Sequence, residues 1–132
     1  MKPMGEDTLY IGTNYHPHDW PPERWAQDLD MMAQRGFTVV RLGHLCWDSF
    51  EPEEGVYTFS WMDRVMELCQ ERGIGVFLDI PTRPAPTWLH EKYPSIDIVD
   101  REGVRQNPHT RYMEDVGDPH FREYAYRLAA VM

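Results

Sequence analysis

Four clusters in this 132-residue sequence carry side chains that can hold, orient or protonate a ligand. His16-Pro17-His18 puts two imidazoles on one side of an extended segment, as shared ligation of a divalent ion requires. Arg41, His44 and Trp47 follow closely on one another, and Asp79, Thr82, Arg83 and Trp88 form a similar group further on. Arg41 has the parity of Phe37 and Val39 along a β-prone run, so it faces the interior if Val39 does. A guanidinium in such a place needs a partner, because burying an unpaired charge costs several kcal/mol, and a carboxylate is the natural one. Such an arginine either bridges two strands or orients a catalytic carboxylate. Glu51, Glu53 and Glu54 invite a reading as catalytic acids. A run of acids around Pro52 and Gly55 is nevertheless expected to be a solvated turn, with Tyr57, Phe59 and Trp61 anchoring the loop.

The elements that position these groups alternate in type. Leu9 to Tyr15 is short and β-prone and stops at Pro17, which predicts a first strand. Pro21-Pro22, then Trp25, Leu29 and Met32 at helical spacing, then Gly36, predict a helix with its start and stop signals. Phe37 to Leu42 is the second strand. Ser60 reads as the N-cap of a second helix with Asp63 in its first turn, Trp61, Val65 and Leu68 on its apolar stripe, and Gly73 at its end. Ile74 to Ile80 is the third strand. Beyond it come a proline-broken stretch, a short helix around Trp88 to Lys92, and a long polar loop from Pro94 to Gly117. A third helix capped by Asp118-Pro119 then presents Phe121, Tyr124 and Leu128 on one face. The strand centres, Ile11, Val39 and Val76, lie about 28 and 37 residues apart. Such βα alternation predicts an α/β fold with a parallel sheet covered by helices. Three strands do not close a (β/α)8 barrel of about 250 residues. The expectation is therefore a partial TIM barrel, the first three βα units, with residues 1–132 as the amino-terminal half of a catalytic domain. Barrel active sites are built at the carboxyl ends of the strands, where most of these clusters fall.

Composition narrows the function classes. Hydrophobic residues at 42%, charged residues at 27% and aromatics at 13% exclude a disordered tail, a collagen-like chain and a coiled coil. A net charge of −9, from 13 basic and 22 acidic residues, repels phosphate backbones and anionic lipid, so neither nucleic acid nor membrane is an expected partner. Neutral sugars stay open. Cys46 and Cys69 form no C-x-x-C pair and read as reduced core thiols. The start of the chain, with Lys2, Glu6 and Asp7, lacks an apolar stretch of the signal-peptide kind, so a cytoplasmic enzyme is expected.

Trp47, Phe50-Glu51-Pro52-Glu53-Glu54-Gly55, Tyr57, Phe59 and Asp63 form a loop typical of several barrel glycosidases. With Gly12, Tyr15, Pro17, Trp20, Pro81-Thr82, Pro86-Thr87-Trp88-Leu89 and Tyr93-Pro94, the sequence from Leu9 to Leu128 resembles the amino-terminal part of glycoside hydrolase family 42 β-galactosidases. The resemblance implies cleavage of terminal β-galactosides with retention, which takes two carboxyl groups about 5–5.5 Å apart. In the family these glutamates follow strands four and seven, so the chain is expected to hold neither and, in isolation, to hydrolyse no glycoside. The resemblance assigns substrate-side roles instead. Arg41 matches an arginine near the sugar-binding floor, Arg111 matches one in the loop after strand three that reaches the galactose, and Trp47 could lie beside the sugar or serve packing alone. Asp115 stands where many members carry the first of four zinc-binding cysteines, so no metal of that kind is expected, and no cofactor. His18 and His44 replace residues commonly acidic in the family, which opens the possibility of a sugar other than galactose.

Two other readings stand beside this one. His16-Pro17-His18 is similar to the opening of the metal site in amidohydrolase barrels, although nothing in that pattern explains the loop from Trp47 to Asp63. A non-catalytic half-barrel that binds carbohydrate would have to cover its open strands, most simply as a homo-oligomer. The remaining histidines, His90, His109 and His120, are expected at the surface.

Overall fold

The computed structural model describes residues 9–106 and 112–132. Its strands form one three-stranded parallel sheet in the order β1–β2–β3, with β1 at Gly12–Asn14, β2 at Val39–Leu42 and β3 at Gly75–Leu78. The expected strand positions and parallel sense hold, but each ladder is shorter than the apolar run that announced it. At the start of β1 the reason is visible: the Ile11 amide donates to the Thr38 hydroxyl at 3.1 Å, so a side chain replaces the ladder partner.

The chain segregates into two compact units, Met1–His44 with Phe59–Asp79, and Leu45–Thr58 with Ile80–Met132. The first holds the sheet and two helices, α1 at Pro22–Gln34 and, two helices on in chain order, α3 at Ser60–Glu71. Both helices stop where Gly36 (φ 83°) and Gly73 (φ 67°) take the left-handed conformation that other residues adopt at a cost of about 1 kcal/mol. Leu29, Val40, Leu42 and Val65 are fully buried in this unit's core. Ser60 is already helical, with Phe59 in the cap position and no side-chain cap bond, which corrects the expected N-cap. Asp28, buried on α1, accepts from the Tyr15 hydroxyl at 3.1 Å and from Arg24 Nε at 3.0 Å, tying the helix to the chain just past β1.

The second unit contains α2 at Trp47–Phe50, α4 at Thr87–Lys92 and α5 at Pro119–Val131. A helix as short as α2 has no periodicity to read, and it was not expected. Asp118 caps α5 as expected, its carboxylate accepting from the amides of His120 at 2.8 Å and Phe121 at 3.1 Å. Trp47, Phe50, Leu89, Ile96 and Leu128 are fully buried. The loop after α4 is held by backbone bonds rather than merely solvated: Ile98 donates to Met113 O at 2.8 Å and Asp115 to Ile96 O at 2.7 Å.

Candidate functional site

Register places the chemistry of the first unit. Asn14 pairs with Arg41, and Arg41 with Phe77, so these residues share one face of the sheet, and Asp79 has the same parity two residues on. Arg41 and Asp79 meet there. Arg41 Nε donates to Asp79 Oδ1 at 2.9 Å and Nη2 engages Oδ2, the bidentate fork-to-carboxylate pairing expected of an inward-facing arginine. His44 completes the group: its Nδ1 lies 3.2 Å from Arg41 Nη2 and 3.2 Å from Asp79 Oδ2. Burial and the adjacent Arg41 charge pull its pKa below the ordinary histidine value, against the opposing pull of Asp79, so the ring is neutral at pH 7. A half-exposed guanidinium whose plane is locked by a carboxylate suits hydrogen bonding to a hydroxylated ligand.

The loop after β1 adds two further imidazoles. His16 lies 5.5 Å from His18 and 5.8 Å from His44 between ring centroids, and the His18 ring stands edge-on to Trp61 at 6.1 Å. One donor atom each from His16, His18 and Asp19 falls within 4.8 Å of the others. The meeting of His16 with His44 had no signal in the sequence, since it depends on β1 and β2 being neighbours.

In the second unit Trp47 is fully buried. Its indole N–H donates to Glu51 Oε2 at 2.9 Å and its ring packs edge-on to Phe121. No ring face is open to a sugar in this arrangement, and the contacts are those of a packing residue. Glu51 itself overturns the expectation of a solvated acidic turn. Its side chain is 1% exposed, accepts from the Gly55 amide at 2.8 Å as well as from Trp47, and lies 3.7 Å from Arg127 Nη2. The cause is α2, which sets Glu51 four residues after Trp47 on a turn that points inward. Glu53 is exposed as expected, while Glu54 is bound by Lys92 Nζ and the Tyr124 hydroxyl at 2.6 Å.

His90 is a second correction, being buried rather than at the surface. Its Nδ1 lies 2.5 Å from Asp97 Oδ1 and its Nε2 3.7 Å from Glu114 Oε1, and Glu114 in turn accepts from Arg83 Nε at 3.1 Å and the Ala85 amide at 2.7 Å. Burial alone would lower the His90 pKa, but the Glu114 and Asp97 carboxylates outweigh it and raise it. His120 is stacked on Tyr93 at 4.0 Å. Arg111 and His109 lie outside the described residues. Cys46 and Cys69 are buried and not joined in a disulfide, and burial pushes the Cys69 thiol up to about 11.

A family model described as beta-galactosidase matches residues 14–132. The chain is similar to a beta-galactosidase of Thermus thermophilus, with 36% identity over 92% of the chain and 19% of that relative. It is also similar to beta-galactosidase BgaA of Clostridium cellulovorans, 41% identical over 74% of the chain and 15% of the relative. Among solved structures, the beta-galactosidase of Marinomonas ef1 superposes with a TM-score of 0.89 at 29% identity, over 94% of the chain and 19% of that protein. The chain thus spans at most about a fifth of the length of these relatives.

Proposed function

Because this chain belongs to glycoside hydrolase family 42, we propose that it supplies the first three βα units of the barrel of a retaining glycosidase that cleaves terminal β-galactosides. Retention requires a nucleophilic carboxylate and a second carboxyl that acts as acid and then base, about 5–5.5 Å apart. Neither is assigned to this chain, whose part is to hold the sugar. The observation that carries the reading is Arg41 on the open face at the carboxyl end of β2, its guanidinium clamped by Asp79 and flanked by neutral His44. A donor fixed in plane before the sugar arrives contributes to orientation without an entropic cost at binding. Arg111 stands in the same proposal as a second sugar contact.

The proposal includes a reducing, cytoplasmic setting, supported by two buried cysteines that form no disulfide. A half-barrel standing alone would instead have to cover Ile11 and Phe77, about half exposed on or beside edge strands, most simply by self-association. Among the described residues no helix is long and apolar enough to cross a membrane.

The test is hydrolysis of nitrophenyl β-galactoside by the full-length enzyme and its Arg41→Lys variant. Lysine cannot reproduce the bidentate fork, and loss of one charge-assisted hydrogen bond of about 1.5–3 kcal/mol lowers kcat/KM by roughly 10- to 100-fold. No hydrolysis of any β-glycoside, or a variant within twofold of the parent, would overturn it.

A further inference from the structure

We propose that the loop after β1 binds one divalent transition-metal ion, zinc first, through His16, His18 and Asp19. The three donor atoms already lie within 4.8 Å of one another. A tetrahedral zinc with bonds of about 2.0–2.2 Å sets its ligand atoms roughly 3.4 Å apart, so the donors need to close by only about 1–1.5 Å. Side-chain rotation supplies that much.

The backbone that carries the donors is held from several sides. Asp19 N donates to His16 O and Trp20 N to Pro17 O, each at 3.1 Å, closing a single 3-10 turn at Pro17–Asp19. Pro17 is fully buried, and its carbonyl accepts from the Trp25 indole at 2.9 Å. His16 and His18 are half-buried and Asp19 is exposed, so the ion has a path from solvent and a fourth position open to water. Two imidazoles with one carboxylate favour a borderline ion such as zinc or cobalt, and disfavour calcium and magnesium, which take all-oxygen shells. Retaining glycoside hydrolysis runs on carboxyl groups and has no use for this set, which also shares no residue with a four-cysteine zinc site.

Zinc binding to the purified protein is measured by competition with a chromophoric chelator, and cobalt binding by its visible absorption. One ion per chain is expected, with His16→Ala and His18→Ala each weakening affinity by about a hundredfold and His120→Ala leaving it unchanged. Imidazole resonances of the unsubstituted protein give a readout that depends on no variant: zinc shifts those of His16 and His18 and leaves that of His90 in place. Absence of stoichiometric binding at about 0.1 mM free zinc would overturn the proposal, and so would a His16→Ala/His18→Ala protein within threefold of the parent.

Discussion

Replacing Glu51 by alanine should be far more damaging than replacing Glu53, although both lie in the same acidic run. Glu51 is 1% exposed, and its carboxylate satisfies the indole N–H of Trp47, itself fully buried. With the carboxylate gone that donor has no water to turn to, at a cost of about 1–3 kcal/mol. The buried methylene lost with it adds about 1 kcal/mol. Arg127, 37% exposed and 3.7 Å away, contributes less than about 1 kcal/mol because solvent screens the pair, and the exposed Gly55 amide can rehydrate. The sum is roughly 2–5 kcal/mol, against about 0.5 kcal/mol or less for Glu53→Ala. Urea unfolding followed by tryptophan fluorescence measures the difference, provided the slope with denaturant is the same for both variants. Glu51→Gln should fall between, since a single amide oxygen cannot serve Trp47 and Gly55 together. If Glu51→Ala unfolds within about 0.5 kcal/mol of Glu53→Ala, the carboxylate is not the buried acceptor described.

Four other outcomes follow from the structure. His90 has its folded-state pKa raised above the ordinary 6.5, so the stability it contributes is fully present below that value and is lost as pH rises through the folded one. Unfolding midpoints should therefore fall from about pH 6.5 upward, and a His90→Gln protein that keeps this fall would refute the assignment. Glu114, whose pKa the His90, Ala85 and Arg83 contacts hold down despite burial, produces the opposite limb, with stability lost as pH falls through its folded value. Asp79→Asn removes the group that opposes the lowering of the His44 pKa, so the imidazole should titrate lower still by NMR; an upward move would refute that account. Gly12→Ala would place a Cβ 1.8 Å from the Val39 carbonyl oxygen, which backbone pairing holds in place, so β1 must separate from β2. A loss above about 3 kcal/mol is expected, and amide exchange in β1 reports it directly.

The alternation of strands and helices was legible because local signals agree with one another. The glycines ending α1 and α3, the Asp118 cap and the apolar stripes of the helices are written within a few residues of where they act. Loop residues were less legible for a reason of scale. Glu51 and Glu53 have the same local composition, and only the short turn at Trp47–Phe50, with no periodicity to betray it, sends one inward and leaves the other in water. His90 likewise became a buried member of an ionic network because Glu114, from beyond the long loop, joins the nearby Asp97 against its ring.

From the sequence alone came the parallel sheet, the ends of α1 and α3, the start of α5, the need of Arg41 for a carboxylate and the family likeness, since each rests on periodicity, parity or a contiguous motif. Tertiary structure decided which carboxylate it is, that His44 joins the pair, that His16 and His18 gather beside it, and that Trp47 is a core residue. Those outcomes depend on which strands pair and on which side chains water cannot reach, and both are properties of the packed chain rather than of any segment in it.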